Sequence, residues 1–159
     1  MERYDTIDEF VERAADELLT GANVYFDLIK RQFTSLRKEW TDDFEINFAE
    51  SDAEEFEEIA KTRFTEIDPE IARDIKEALT LPDNIETPNS HIQYGWRKDF
   101  IEANCDNAAF CRNAIKALSD RHPFRSFKDT LNFHNLTEQW HDYERDRMLS
   151  YIRHELFLD

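Results

Sequence analysis

The chain has 159 residues, a mass of 19.1 kDa and a formal charge of −16, with 36 acidic against 20 basic side chains. Hydrophobic residues at 40% and aromatics at 13%, with 13 Phe among them, exclude a disordered polymer although 35% of residues are charged, and one domain of this length buries roughly two-thirds of the surface its unfolded chain exposes. No apolar run reaches the roughly 18 residues that span a bilayer, and Met1-Glu2-Arg3-Tyr4-Asp5 lacks a basic and then apolar leader, so a soluble cytosolic protein is expected.

Thr6 and Glu9 form a T-x-x-E capping box ahead of Ile7, Phe10, Val11, Ala14 and Leu18, which recur at helical spacing until Gly21 supplies a stop. Val24, Phe26 and Leu28 then alternate with Tyr25, Asp27 and Ile29, and Phe33 and Leu36 follow Lys30-Arg31, which predicts two short strands. Phe44-Glu45-Ile46-Asn47-Phe48 alternates and adds a candidate third strand. Ser51 with Glu54 caps a helix whose inner face is Phe56, Ile59 and Ala60. Asp68-Pro69 opens another, with Ile71, Ile75 and Leu79 as its stripe.

Pro82 to Asn89 is the longest turn-like stretch, a candidate hinge but not a domain boundary. Beyond it, Ser90 with Gln93 caps a helix carrying Ile92, Trp96, Phe100 and Ala103, with Gly95 unexplained inside it. Asp106 or Asn107 caps the next, where Phe110, Ala114 and Leu118 face inward and Arg112 and Lys116 outward. Pro123 suits the first position of a helix running to about Phe133, because its missing N–H has no partner there anyway. Phe124, Phe127 and Leu131 form its buried stripe, and Arg125, Lys128 and Asp129 point away. After His134-Asn135-Leu136, Thr137 caps a long last helix lined by Trp140, Tyr143, Tyr151, Ile152 and Leu156. The fold class is α+β: a small N-terminal antiparallel sheet of two to three strands and a mainly helical C-terminal cluster, in one domain over 1–159 with an acidic half (about 1–80) and a helical half (about 90–159).

Residues 1–80 hold 23 acidic and 10 basic side chains, net −13, and residues 81–159 hold 13 and 10, net −3. The acidity peaks from Asp42 to Glu58, including Glu54, Glu55, Glu57 and Glu58, without one Lys or Arg. Three readings stay open there: a solvated face, a cation site, or a mimic of nucleic-acid phosphates. Its counterpart is Arg112, Lys116, Arg121, Arg125 and Lys128, interrupted only by Asp120. Arginine grips phosphate or carboxylate through two parallel N–H bonds, so Lys116, Arg121, Arg125 and Lys128 are the candidate anion site, or else pair internally with acids.

With only Gly21 and Gly95, the chain has no glycine-rich phosphate loop, and no serine lies in G-x-S-x-G. Cys105 and Cys111 lie six apart, which suits neither C-x-x-C nor a zinc knuckle, and reduced thiols near the core are expected. Glu138-Gln139-Trp140-His141 has the E-x-x-H spacing of a di-metal helix, but no second copy exists to complete the site. No cofactor is implied.

Phe124, Arg125, Phe127, Lys128 and Asp129, followed by Trp140 and Tyr143, resemble an uncharacterised family of small acidic bacterial cytosolic proteins marked by a G-A-F-R-x-F-K-D segment and a W-Y-x-F motif. Leu81-Pro82, Phe100-Ile101 and Tyr25-Phe26-Asp27-Leu28 fit the same pattern; His122-Pro123 stands where that family has Gly, and its turn Gly near Arg31 is missing. The resemblance implies a mixed α and β cytosolic protein and no activity. The function expected is therefore a non-enzymatic protein-binding or regulatory one, engaging a basic partner through the acidic surface or another protein through the Arg125/Lys128 edge. Direct nucleic-acid binding is disfavoured, since phosphates would be repelled. The alternatives are an immunity or nucleic-acid-mimic protein, and an enzyme with an unrecognised Glu/His site.

Overall fold

The computed structural model describes residues 1–38 and 69–158. The expected strand at 44–48, the helix opened by Ser51, the Asp68 cap and the acids Glu54, Glu55, Glu57 and Glu58 lie outside the described residues. The chain groups into two compact units, Met1–Thr87 with Ile152–Asp159, and Pro88–Tyr151. Their boundary falls inside the turn-like stretch that starts at Pro82.

In the first unit, β1 (Glu2–Arg3), α1 (Ile7–Leu19), β2 (Ala22–Asp27), β3 (Gln32–Arg37), α2 (Pro69–Leu79) and β4 (Asp83–Ile85) build a four-stranded antiparallel sheet in the order β1-β3-β2-β4. The capping box forms at α1, where Thr6 Oγ1 accepts from the Glu9 N–H (3.1 Å) and the Glu9 carboxylate accepts from the Asp5 N–H (2.8 Å). The first bond satisfies an N–H that the first turn would leave open, and the second, to the residue before the cap, holds the Glu9 carboxyl below its ordinary pKa. Gly21 ends the helix at φ 88°, a left-handed conformation that glycine adopts without a Cβ penalty. In the hairpin turn, Asp27 Oδ1 accepts from the Ile29 and Lys30 N–H groups (2.9 Å each) and Arg31 sits at φ 56°.

Phe26 and Phe33 are register partners, and Phe10 of α1 meets both rings, at 5.2 and 5.6 Å between centroids. These three aromatics form the core of the unit. The inward and outward alternation expected for β2 is absent, because Ala22 to Phe26 are all buried and the strand is therefore covered on both faces. Two strands were not expected from the sequence. Two-residue β1 is too short to show a period, and β4 lies in the Pro82 to Asn89 stretch, where paired Asp83 and Asn84 are turn-formers by composition. Buried Asn23 ties down the end of that stretch: its Oδ1 accepts from the Thr87 N–H at 2.9 Å, and Thr87 Oγ1 donates to the Ala22 carbonyl at 2.9 Å. Leu79, expected on the inner stripe of α2, is exposed, whereas Ile75 is buried.

The second unit contains α3 (Ser90–Ala103), α4 (Ala108–Leu118), α5 (Pro123–Phe133) and most of α6 (Thr137–Glu155), whose residues from Ile152 belong to the first unit. Asn89 rather than Ser90 caps α3, accepting from the Ile92 N–H, and Gln93 reaches back to the Pro88 carbonyl. Asn107 caps α4. Thr137 is the first residue of α6 instead of its cap, and its hydroxyl donates to Asn132 Oδ1. Nothing lies within 4 Å of where a Cβ on Gly95 would stand, so no close approach explains that glycine.

The core of this unit centres on Phe100. Its ring lies 5.3 Å from Trp140, 5.3 Å from Tyr143, 6.0 Å from Phe110 and 6.4 Å from Phe127, in edge-to-face arrangements that suit the aromatic quadrupole. Cys105 and Cys111 are joined in a disulfide across the turn from α3 to α4, with Cα atoms 5.0 Å apart, and neither is in the core. The expectation of reduced thiols fails because the tight turn between the helices brings together two residues whose sequence spacing fits no motif.

Candidate anion-binding cleft

Two helix starts and one loop converge on an open cleft of about 660 Å³. Ser90 and His91 come from the first turn of α3, and Tyr94 lies one turn further along. Arg121 and His122 occupy the loop before α5, and Pro123, Phe124 and Arg125 form its first turn. The α5 start is poorly capped. His122 makes no capping bond, Pro123 has no N–H, and the N–H groups of Phe124 and Arg125 have no acceptor within the helix. Helix starts of this kind carry partial positive charge, and here two arginines and two histidines surround them.

Among the described residues, neither Arg121 nor Arg125 takes part in an ion pair. The nearest acid in sequence, Asp120, is already engaged: its carboxylate accepts from Ser126 Oγ at 2.7 Å and from the Arg121 N–H at 2.7 Å. The Ser126 bond first, and then the Arg121 backbone bond, hold its carboxyl below the ordinary aspartate pKa.

Beneath the cleft lies a residue whose charge alone makes it look peripheral. Arg97, on α3 beside Trp96, is 8% exposed. Its guanidinium carbon stands 3.9 Å from the centre of the Phe124 ring, 5.0 Å from Trp140 and 5.7 Å from Phe127. Its Nη1 donates to the Gln93 carbonyl at 3.0 Å, and Nη2 approaches Glu144 at 3.9 Å. Its Nε is the one buried side-chain nitrogen or oxygen without a hydrogen bond among the described residues. Burial pushes the Arg97 pKa down and the Glu144 pKa up, and the attraction between them, helped at Glu144 by His141, offsets only part of each shift. A contact at the edge of ion-pair distance does not repay the desolvation of two charges. The available signal was the position of Arg97 three and four residues before Phe100 and Ile101; its charge argued for the outer face.

Of the four cations singled out from the sequence, the cleft gathers Arg121 and Arg125. Lys116 on α4 and Lys128 on α5 are exposed, have no ion pair among the described residues, and are not part of its lining. Phe124, expected in the core stripe with Phe127 and Leu131, is half-buried and lines the cleft, while the other two are 1% exposed. His91, Tyr94 and His122 were not anticipated, because the histidines were weighed only for metal spacing. Glu138 and His141 are both exposed, and no group of three or more His, Cys, Asp or Glu among the described residues is placed to hold a metal. Among the described residues, no helix is long and apolar enough to cross a membrane. Comparison with family models, curated proteins and solved structures finds no match to this chain.

Proposed function

We propose that the protein is a non-enzymatic binding protein of the regulatory type, which engages a partner protein by receiving one of its anionic groups in the cleft at the starts of α3 and α5. The observation that carries this reading is the pairing of Arg121 and Arg125, without a described carboxylate partner, with the uncapped start of α5 in one concave site. Guanidinium forks and open backbone N–H groups are the donors that bind phosphate or carboxylate, and their charge also raises the rate of encounter with an anionic group. A second contact of opposite sign follows from the run Asp42 to Glu58, whose nine acids and lack of any Lys or Arg favour a basic surface on the same or another partner.

The test is a titration of the whole chain with inorganic phosphate at low ionic strength, followed by amide chemical shifts. Ser90, His91, Tyr94 and residues 121, 122, 124 and 125 should move together, and Arg121→Gln with Arg125→Gln should abolish the response without loss of fold. A response scattered over the surface, or one that survives the double substitution, overturns the anion reading.

A further inference from the structure

Half of the residues around the cleft arginines, Tyr94, Pro123 and Phe124, are apolar or aromatic, and a bare inorganic anion would leave them unused. Tyr94 and Phe124 line the cleft, both half-buried, and Tyr94 is held by a hydrogen bond from its hydroxyl to the Leu118 carbonyl at 3.4 Å. Phe124 is fixed more firmly, because the buried Arg97 guanidinium packs against its ring at 3.9 Å. That contact satisfies an electron-rich face of the ring with a cation and places a poorly compensated positive charge against it. A ring held in this way is a stacking platform for another ring, and the buried charge beside it favours a ligand that carries negative charge. The polar donors sit beside this platform: Arg121, Arg125, His91, His122 and the Ser90 hydroxyl. Their number exceeds what the two oxygens of a carboxylate use, and fits the three acceptor oxygens of a phosphate monoester.

We propose that the group received in the cleft is an aromatic phosphate monoester, with its ring packed against Phe124 and Tyr94 and its phosphate held by Arg121 and Arg125. This rests on the reading of the cleft as an anion site and specifies the chemistry of what enters it. Two sources carry that chemistry, a phosphotyrosine side chain on a partner protein and a free aryl phosphate. Arg97 is a positioning residue for Phe124 and does not touch the ligand.

The experiment measures the affinity of the whole chain for phenyl phosphate, inorganic phosphate and phenol by calorimetry or by amide shifts. Phenyl phosphate should bind about tenfold more tightly than inorganic phosphate, as expected for one added ring stack, and phenol should not bind. Phe124→Leu should remove that gain while keeping the affinity for inorganic phosphate, which also shows that the variant is folded; Tyr94→Leu serves the same purpose should Phe124→Leu fail to fold. A short phosphotyrosine peptide binding more tightly than phenyl phosphate identifies the protein source, and a weaker peptide identifies a free small molecule. Equal affinities for phenyl phosphate and inorganic phosphate overturn the proposal but leave the anion cleft standing. Loss of all binding overturns the cleft as well.

Discussion

The Arg97 guanidinium packs 3.9 Å from the centre of the Phe124 ring, so the residue that forms a wall of the cleft is held in place by a buried cation of the core. Site and core are coupled through this one contact. Disturbing Arg97 should therefore be visible both in stability and at the cleft.

Arg97→Ala should destabilise the second unit by about 2–4 kcal/mol, since it leaves the partly buried Glu144 without its cation and uncovers three rings. Arg97→Met combined with Glu144→Leu should recover most of that loss, because a pair that is weakly coupled at 3.9 Å and costly to desolvate is replaced by apolar contact. Urea denaturation of the single and double variants measures this. Equal losses in both would mean that apolar packing does not replace the guanidinium, and that its charge and its hydrogen bond to the Gln93 carbonyl carry the effect.

The same pair sets a dependence on pH. Glu144 has its pKa raised from 4.5 in the folded chain, so its favourable contribution is complete below pH 4.5 and is lost as pH rises through the raised value. Glu144→Gln should therefore fare progressively better against the parent as pH climbs from 4.5 toward neutrality. Asp120 behaves in the opposite sense. Its pKa is lowered from 3.8, so its contribution is present above 3.8 and is lost as pH falls through the lowered value. Asp120→Asn should lower the melting temperature at neutral pH and leave it unchanged in strong acid. Parallel melting curves of variant and parent across pH would contradict either assignment.

Phe127→Ala should cost about 3–5 kcal/mol, the usual loss for truncating a fully buried Phe. Its ring is 1% exposed and lies 5.1 Å from Trp140 and 6.4 Å from Phe100, so the cavity would open in the middle of the aromatic cluster. Chemical denaturation decides it. A cost below 1 kcal/mol would show that the cluster collapses onto the space.

Reducing the Cys105–Cys111 bond should lower stability by about 2 kcal/mol, the chain-entropy value for so short a loop. The bonded state predicts no uptake of an alkylating agent by the folded or unfolded chain until a reductant is added. Intact-mass measurement reads this directly, and two alkyl groups gained without reductant would show the thiols to be unpaired.

The sequence by itself determined the elements whose signals are local. The Thr6 and Glu9 box, Gly21, Pro123 and the 3.6-residue recurrence of Phe127 and Leu131 each act within a turn or two of chain, and the α+β class follows from them. The hairpin was legible too, from Val24 and Phe26 on one side of Lys30-Arg31 and Phe33 and Leu36 on the other, although Leu28 and Ile29, expected in the first strand, lie in the turn. Strand β4 was not, since Asp83 and Asn84 pair with β2 across about sixty residues of chain, and pairing at that distance overrides local preference. The disulfide escaped for a related reason: it depends on where a turn places two Cα atoms, which spacing does not report.

The candidate site was half legible. Arg121 and Arg125 stood out as cations in a chain of charge −16, but charge alone could not separate them from Lys116 and Lys128. Only the packing of α3 beside α5 makes that separation, by closing a cleft around the two arginines and leaving the lysines on outer faces. Only the same packing turns Arg97 inward. A charged side chain is read as solvent-facing because burying it is costly, and the rings of Phe124, Phe127 and Trp140 that offset the cost come from two other helices, which the sequence around Arg97 does not contain.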